Sequence, residues 1–296
     1  MKFRTEYKAT PIEPSLDPSR PIVLVGSCFA SNIALKMQSS QWEAFNSVGT
    51  LYNPVSIAKV LSWMIFDDEK SDALENSLFV CENRIHSWLF DSHFSASSKE
   101  RCKERIYDAR DGLLSALENA QALIVTFGTA WCYSIENPDV NENERYIVAN
   151  CHKMPSALFR RERLNPDEIS SLWIDLCHRL KEKYPQLRII FTVSPVRHLK
   201  DGFEGNSLSK AILLLAIEQI CKNIDFCIYF PAYEIVCDDL RDYRFYASDM
   251  VHPSQTAVEY IWEIFLKTFI DENGEKMLKE GEKRFKAMNH RPILIE

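Results

Sequence analysis

Two short stretches carry residue types suited to chemistry. Asp249 and His252 stand three apart in SDMVHPSQ, and Gly26-Ser27-Cys28 follows the apolar run IVLV at 22–25. In a tight turn, a carboxylate three residues from an imidazole can reach Nδ1. It would then fix the tautomer and stabilise the imidazolium that forms when Nε2 takes a proton. An imidazole so held activates a hydroxyl or a thiol. Ser27 and Cys28 offer one of each directly after the first glycine. The bland readings are an Asx-type helix entry with a surface histidine, and two small residues filling a turn; D-x-x-H is common by chance.

The pattern around these residues predicts what must position them. Apolar, β-rich runs at 22–25, 122–127, 188–193 and 226–230 read as strands, with a short run at Trp42 to Phe45 as a further one. Helical spacing falls at 27–39, from Pro54 to Met64, from about Ser98 to Ala120, from Pro166 to about Tyr184 behind Asn165 as N-cap, over 206–222, and from about Ser254 to Ile270. Strands alternating with helices predict an α/β fold around a parallel sheet. Hairpins are expected at LFVCENRIHSWLF and between Trp131–Ser134 and Arg145–Ala149. One domain over 1–296 is the expectation, with insertions 66–99 and 131–165 as a cap and a charged peripheral tail, 271–296. Ligands of open α/β sheets bind beyond the carboxyl ends of the strands. Gly26-Ser27-Cys28, Asn46 to Gly49, Gly128 to Trp131, Ser194 to His198 and Asp249 to His252 therefore converge on one rim.

Composition narrows the function classes. The 296 residues carry a net charge of −7 and are 46% hydrophobic, which fits a globular chain able to bury a core. The acidic balance argues against nucleic acid as the partner. No apolar run approaches the roughly 18 residues of a membrane span, and the N-terminal stretch lacks a signal-peptide core, so no membrane role and a cytoplasmic location are expected. Nine cysteines without a C-x-x-C pair predict neither a disulfide framework nor a zinc cage. No metal spacing, G-x-G-x-x-G or Walker loop occurs, so no metal and no cofactor are expected.

GSCFA at 26–30 together with DMVH at 249–252 resembles the bacterial GSCFA family, which sits with the SGNH/GDSL hydrolases. GTLYNPVSI at 49–57, TFGTAW at 126–131, NCHKMP at 150–155 and SPVRHLKDG at 194–202 extend the resemblance over most of the chain. The resemblance implies a three-layer α/β/α sandwich with a short parallel sheet, and ester hydrolysis or acyl transfer by a nucleophile near the first strand. Asp249 and His252 would supply the late D-x-x-H pair. Two departures stand out. The usual G-D-S block reads G-S-C here: ungapped register makes Cys28 the nucleophile, a one-residue shift makes it Ser27, and in a third reading neither reacts. The usual G-x-N-D block reads GTAW, so the amide that donates to the oxyanion is missing. Losing one such donor costs about 3 kcal/mol of barrier. Substitutes are the backbone N–H groups of Cys28 and Gly49, or side chains of Asn46, Asn53, Thr129 or Trp131.

Arg197 and His198 are candidates for binding an anion or leaving group, against a plain helix-entry cluster with Asp201. His152-Lys153 could touch a substrate in the cap or be solvated. His86, Trp88 and His93 suit sugar stacking, although a hairpin packed on the core explains them too. His178 and His290 read as structural or solvated. The expected function is hydrolysis of a small-molecule or carbohydrate ester, such as a sugar O-acetyl group. An acyltransferase on the same residues and a non-catalytic carbohydrate- or ligand-binding protein on a hydrolase scaffold are the alternatives.

Overall fold

The computed structural model describes residues 4–67, 72–136 and 145–289. In chain order the elements are β1 (Ile22–Gly26), α1 (Cys28–Ser39), β2 (Ala44–Phe45), α2 (Pro54–Phe66), α3 (Ala73–Ser77), β3 (Leu78–Cys81), β4 (Arg84–Ser87), α4 (Lys99–Asn119), β5 (Ala122–Phe127), β6 (Trp131–Glu136), β7 (Arg145–Val148), β8 (Arg160–Arg163), α5 (Pro166–Lys183), β9 (Arg188–Val193), α6 (Gly202–Asn223), β10 (Cys227–Tyr229), α7 (Ala232–Glu234), α8 (Gln255–Phe269) and α9 (Glu272–Asn289).

Five strands form a wholly parallel sheet in the order β10-β9-β5-β1-β2. Its central strands are buried on both faces, which is why they read as continuous apolar runs. The two-residue period sorts their side chains. Val23, Val25, Leu123, Val125, Phe127, Ile189, Phe191 and Val193 pack with residues of α2, α4, α5 and α6. Ile22, Leu24, Ala122, Ile124 and Ile190 pack with α1, α8 and Leu278 of α9. The fold is thus the α/β/α sandwich expected from the sequence. On the first face, Trp173 of α5 meets Phe127 and Phe191 edge-on, with ring centroids 5.2 and 5.3 Å away. Truncating such a buried aromatic costs about 3–5 kcal/mol.

Differences from the sequence reading fall outside this sheet. The β6–β7 hairpin pairs Tyr133 with Val148, but β8 joins it on the other side, with Trp131 opposite Arg163. No strand was expected at 160–163, where Arg-Arg-Glu-Arg has no apolar alternation; pairing with the free edge of β6 makes it one. Helix α6 begins at Gly202, four residues earlier than its apolar spacing. Much of the charged C-terminal stretch forms α9, whose buried residues are Gly274, Leu278 and Gly281. Among the described residues, no helix is long and apolar enough to cross a membrane.

Candidate active site

The turn out of β1 is built around Gly26. Its φ is +123°, and a Cβ there would lie 2.1 Å from the Thr126 carbonyl oxygen, so only glycine fits against β5. The next residue leaves the strand: Ser27 N–H donates to Thr126 O (3.2 Å), and Leu51 N–H donates to Gly26 O (2.9 Å). Ser27 is the N-cap of α1, its Oγ accepting from Phe29 N–H at 3.4 Å, and it is 1% exposed. Cys28 is the first residue of the helix and is only partly buried. Burial raises its thiol pKa; the main-chain N–H groups of Cys28 and Phe29 and the Lys210 ammonium pull the other way without winning.

A second turn carries Asp249 and His252. Asp249 Oδ2 lies 2.6 Å from His252 Nδ1, and Oδ1 accepts from the N–H groups of Val251 (2.9 Å) and His252 (3.0 Å). These main-chain donors, followed by the imidazole, hold the Asp249 carboxyl down to about 2. Ala247 N–H closes the turn onto His252 O at 2.7 Å, and Met250 takes φ 59°. Nδ1 is therefore engaged, and among the described residues no hydrogen bond is made from Nε2. Catalytic hydrogen bonds often tighten only once substrate is bound.

The loop after β9 ties this turn to the sheet. Arg197 N–H donates to Val251 O (3.1 Å), and its guanidinium donates to Met250 O (3.2 Å) while lying over the rings of Phe203, Tyr243 and Tyr246. Arg197 thus braces the Asp249–His252 turn. His198 meets the Tyr52 ring edge-on at 6.2 Å between centroids. Burial first, and then the Lys210 charge, push the His198 imidazole down to about 4; Arg161 and His252 add to this, and a hydrogen bond with the Gly128 main chain opposes it. His198 is therefore neutral at pH 7.

The proposed substitutes for the missing amide are mostly engaged elsewhere. Asn53 caps α2, accepting from Ser56 N–H (2.8 Å) and donating to Ser56 Oγ (3.0 Å). Asn46 donates to Ser31 Oγ (2.9 Å). Thr129 pairs with Ser209 Oγ (3.0 Å) and accepts from Trp131 N–H (3.1 Å). The N–H groups of Gly128 and Thr129 both donate to Tyr52 O, at 2.8 and 3.0 Å. The Trp131 ring lies under Arg161, whose guanidinium carbon is 4.4 Å from the centroid. Gly49 takes φ +85°, and a Cβ there would press Phe94 at 2.9 Å and the Asp91 carboxylate at 3.2 Å. Its neighbour Thr50 N–H donates to Asp91 Oδ2 at 2.6 Å, so Asp91 of the 66–99 insertion holds the loop's shape.

Residues of the 66–99 and 131–165 insertions form their own cluster. His86 and His152 are buried with their Nδ1 atoms 3.2 Å apart, Ser95 Oγ lies 2.7 Å from His86 Nδ1, and His152 Nε2 lies 2.9 Å from Ser87 O. Phe79 stacks on Trp88 at 3.6 Å between centroids. Burial lowers the His152 pKa. Lys153 follows it at φ 60°. His93 and His178 are exposed, and His290 lies outside the described residues.

Sequence reasoning passed over Lys210 and Tyr52. Lys210 lies on the buried stripe of α6, with Leu213, Ala216, Ile217 and Ile220. A lysine at the core-facing position of an apolar helical period was the available signal. Tyr52 sits inside the GTLYNPVSI motif, and burial raises its phenol pKa, with Cys28 and Asp91 adding to the shift.

A parallel α/β sandwich whose loops bring a helix-start thiol, two imidazoles and a carboxylate to the carboxyl edge of its sheet is a scaffold for nucleophilic or binding chemistry. The GSCFA family profile matches residues 21–265, and the chain belongs to the GSCFA family. No curated protein matches the chain. Among solved structures, a carbohydrate esterase family 2 enzyme with a carbohydrate-binding domain from Corynascus thermopiles (Myceliophthora fergusii) is similar at 9% identity and TM-score 0.42, over 91% of this chain and 69% of that one. The acetyl xylan esterase Est2A from the rumen bacterium Butyrivibrio proteoclasticus is similar at 14% identity and TM-score 0.42, over 95% and 67%. A family two carbohydrate esterase from Clostridium thermocellum, in complex with cellohexaose, is similar at 10% identity and TM-score 0.38, over 86% and 63%.

Proposed function

We propose that the protein hydrolyses esters, with Cys28 as nucleophile and His252, oriented by Asp249, as general base and acid. His252 Nε2 takes the Cys28 proton, the thiolate attacks the ester carbonyl, and the tetrahedral adduct collapses to a thioester while His252 returns the proton to the leaving alcohol. Water then attacks the thioester, its proton passing through His252 to the departing sulfur. The observation that carries this reading is the 2.6 Å Asp249 Oδ2–His252 Nδ1 contact, which leaves Nε2 available at the carboxyl edge of the sheet. Cys28 is favoured over Ser27 because Ser27 is buried and its oxygen accepts the Phe29 N–H as the cap of α1. Cap rings beside the Arg161 and Lys200 charges suit a sugar-bearing substrate: Lys200 donates to Tyr133 Oη at 2.8 Å, and Tyr133 and Trp88 both meet Phe159. A small acyl group on a carbohydrate is the substrate class.

The test is hydrolysis of p-nitrophenyl acetate by wild type, Cys28→Ala, Ser27→Ala and His252→Ala. Losses of about 10²–10⁴-fold in Cys28→Ala and His252→Ala, with Ser27→Ala folded and active, support the reading. Equal rates in wild type and His252→Ala remove it. Turnover that requires an added sugar acceptor makes the enzyme an acyltransferase on the same residues.

A further inference from the structure

Lys210 is 1% exposed in α6. Its ammonium donates to Gly128 O at 2.6 Å and to Ser194 O at 2.7 Å, the carbonyls just past the ends of β5 and β9. Gly128 in turn packs against the turn after β1, where a Cβ on Gly128 would stand 3.4 Å from Ser27 Cβ. Lys210 therefore joins two strand ends directly beside the start of α1. Among the described residues, no carboxylate forms an ion pair with it. Two neutral carbonyls solvate an ammonium but do not neutralise it, and an unneutralised buried cation is costly: burial pushes the Lys210 pKa down to about 7, with Cys237 and Cys28 pulling it back up. Such a group complements an anion formed nearby. The titratable groups that face it are Cys28 from α1, His198 from the loop after β9, and Tyr233 and Cys237 from the segment after β10. The hydroxyls of Tyr233 and Tyr246 already favour the Cys237 thiolate, whereas Cys28 stands at the first position of α1.

We propose that Lys210 is a positioning residue for Cys28: it braces the strand ends around the first turn and supplies the buried positive charge that favours the Cys28 thiolate. Its catalytic meaning rests on the reading of Cys28 as nucleophile. The ionisation itself is measurable without turnover, so the two stand or fall separately.

The experiment follows iodoacetamide alkylation of the Cys28 peptide by mass spectrometry from pH 5 to 10 in wild type, Lys210→Met and Lys210→Gln. The glutamine keeps an N–H donor for one carbonyl without the charge. In a folded variant, Cys28 alkylation is several-fold slower at pH 5–7, where Lys210 carries its charge, and approaches the wild-type rate as pH rises well above 7. An unchanged profile overturns the proposal. A reciprocal measurement needs no change at Lys210: ¹³Cε-lysine NMR titration compares wild type with Cys28→Ser. Losing the thiolate lowers the Lys210 midpoint, and an unmoved midpoint overturns the proposal even where the Lys210 variants do not fold. A shifted Cys28 profile with full esterase activity in Cys28→Ala keeps the Lys210 role and removes Cys28 as nucleophile.

Discussion

Asp249 grips His252 at two points: Oδ2 lies 2.6 Å from the imidazole Nδ1, and Oδ1 accepts the His252 main-chain N–H at 3.0 Å. One carboxylate thus sets both the turn and the ring. Asp249→Asn can still accept from the main chain, but its amide presents a donor to Nδ1 and favours the wrong tautomer. The predicted result is a fall in kcat of about 10²–10⁴-fold with the fold retained, measured by ester hydrolysis and circular dichroism. The carboxyl pKa is depressed, so its stabilisation is present above the unfolded value of 3.8 and is lost as pH falls toward about 2. Asp249→Asn is therefore less stable than wild type above about pH 4, and the difference closes as pH falls toward about 2.

Arg197 holds the same turn from the sheet side, through Val251 O and Met250 O. Arg197→Leu keeps the main-chain bond and loses the guanidinium bond and its ring contacts. The expected effect is a loss of about 0.5–1.5 kcal/mol of support for the turn, read as a fall in kcat, with KM changing little. A rise in KM with kcat unchanged would instead assign Arg197 to substrate binding.

Gly26 admits no side chain, since both its φ and the 2.1 Å approach to Thr126 O forbid a Cβ. Gly26→Ala is expected to lose about 3 kcal/mol or more of stability, seen as a lower urea midpoint. An alanine variant of wild-type stability would contradict the turn geometry.

His198 is pushed down to about 4, chiefly by burial. Between its unfolded value near 6.5 and this folded value, the unfolded chain binds the extra proton, so stability falls as pH falls through that window. The whole effect is of the order of 3 kcal/mol. His198→Gln removes the titration, and its stability relative to wild type should improve steadily from pH 6.5 to 4, measured by urea unfolding at each pH. Parallel curves for the two proteins would place the His198 ionisation outside that window.

The sheet was legible because its strands are buried on both faces. Ala122–Phe127 and Arg188–Val193 show uninterrupted β-rich runs, and Pro166–Lys183 announces itself by Asn165 and Pro166. The Asp249–His252 contact was legible because three residues in a tight turn leave the carboxylate little else to reach. Arg160–Arg163 was not, because a charged segment becomes a strand only through the edge it meets; Arg161 there forms an ion pair with Asp201 and covers Trp131. Lys210 was not, because one lysine in SLSKAILLLA looks like any solvated helix position until its stripe is aligned with the core. The fates of Asn46, Asn53 and Thr129 depended on local partners, Ser31, Ser56 and Ser209, that a motif comparison does not show.

The central claim is a thiol nucleophile served by the Asp249-bound imidazole. The most direct measurement is mass-spectrometric mapping of the acyl-enzyme after acid quench of a reaction with p-nitrophenyl acetate. The account predicts an acetyl thioester on Cys28 that forms and decays at the turnover rate and is absent from His252→Ala. Acetyl on Ser27, or the same Cys28 label at the same rate without His252, would contradict it.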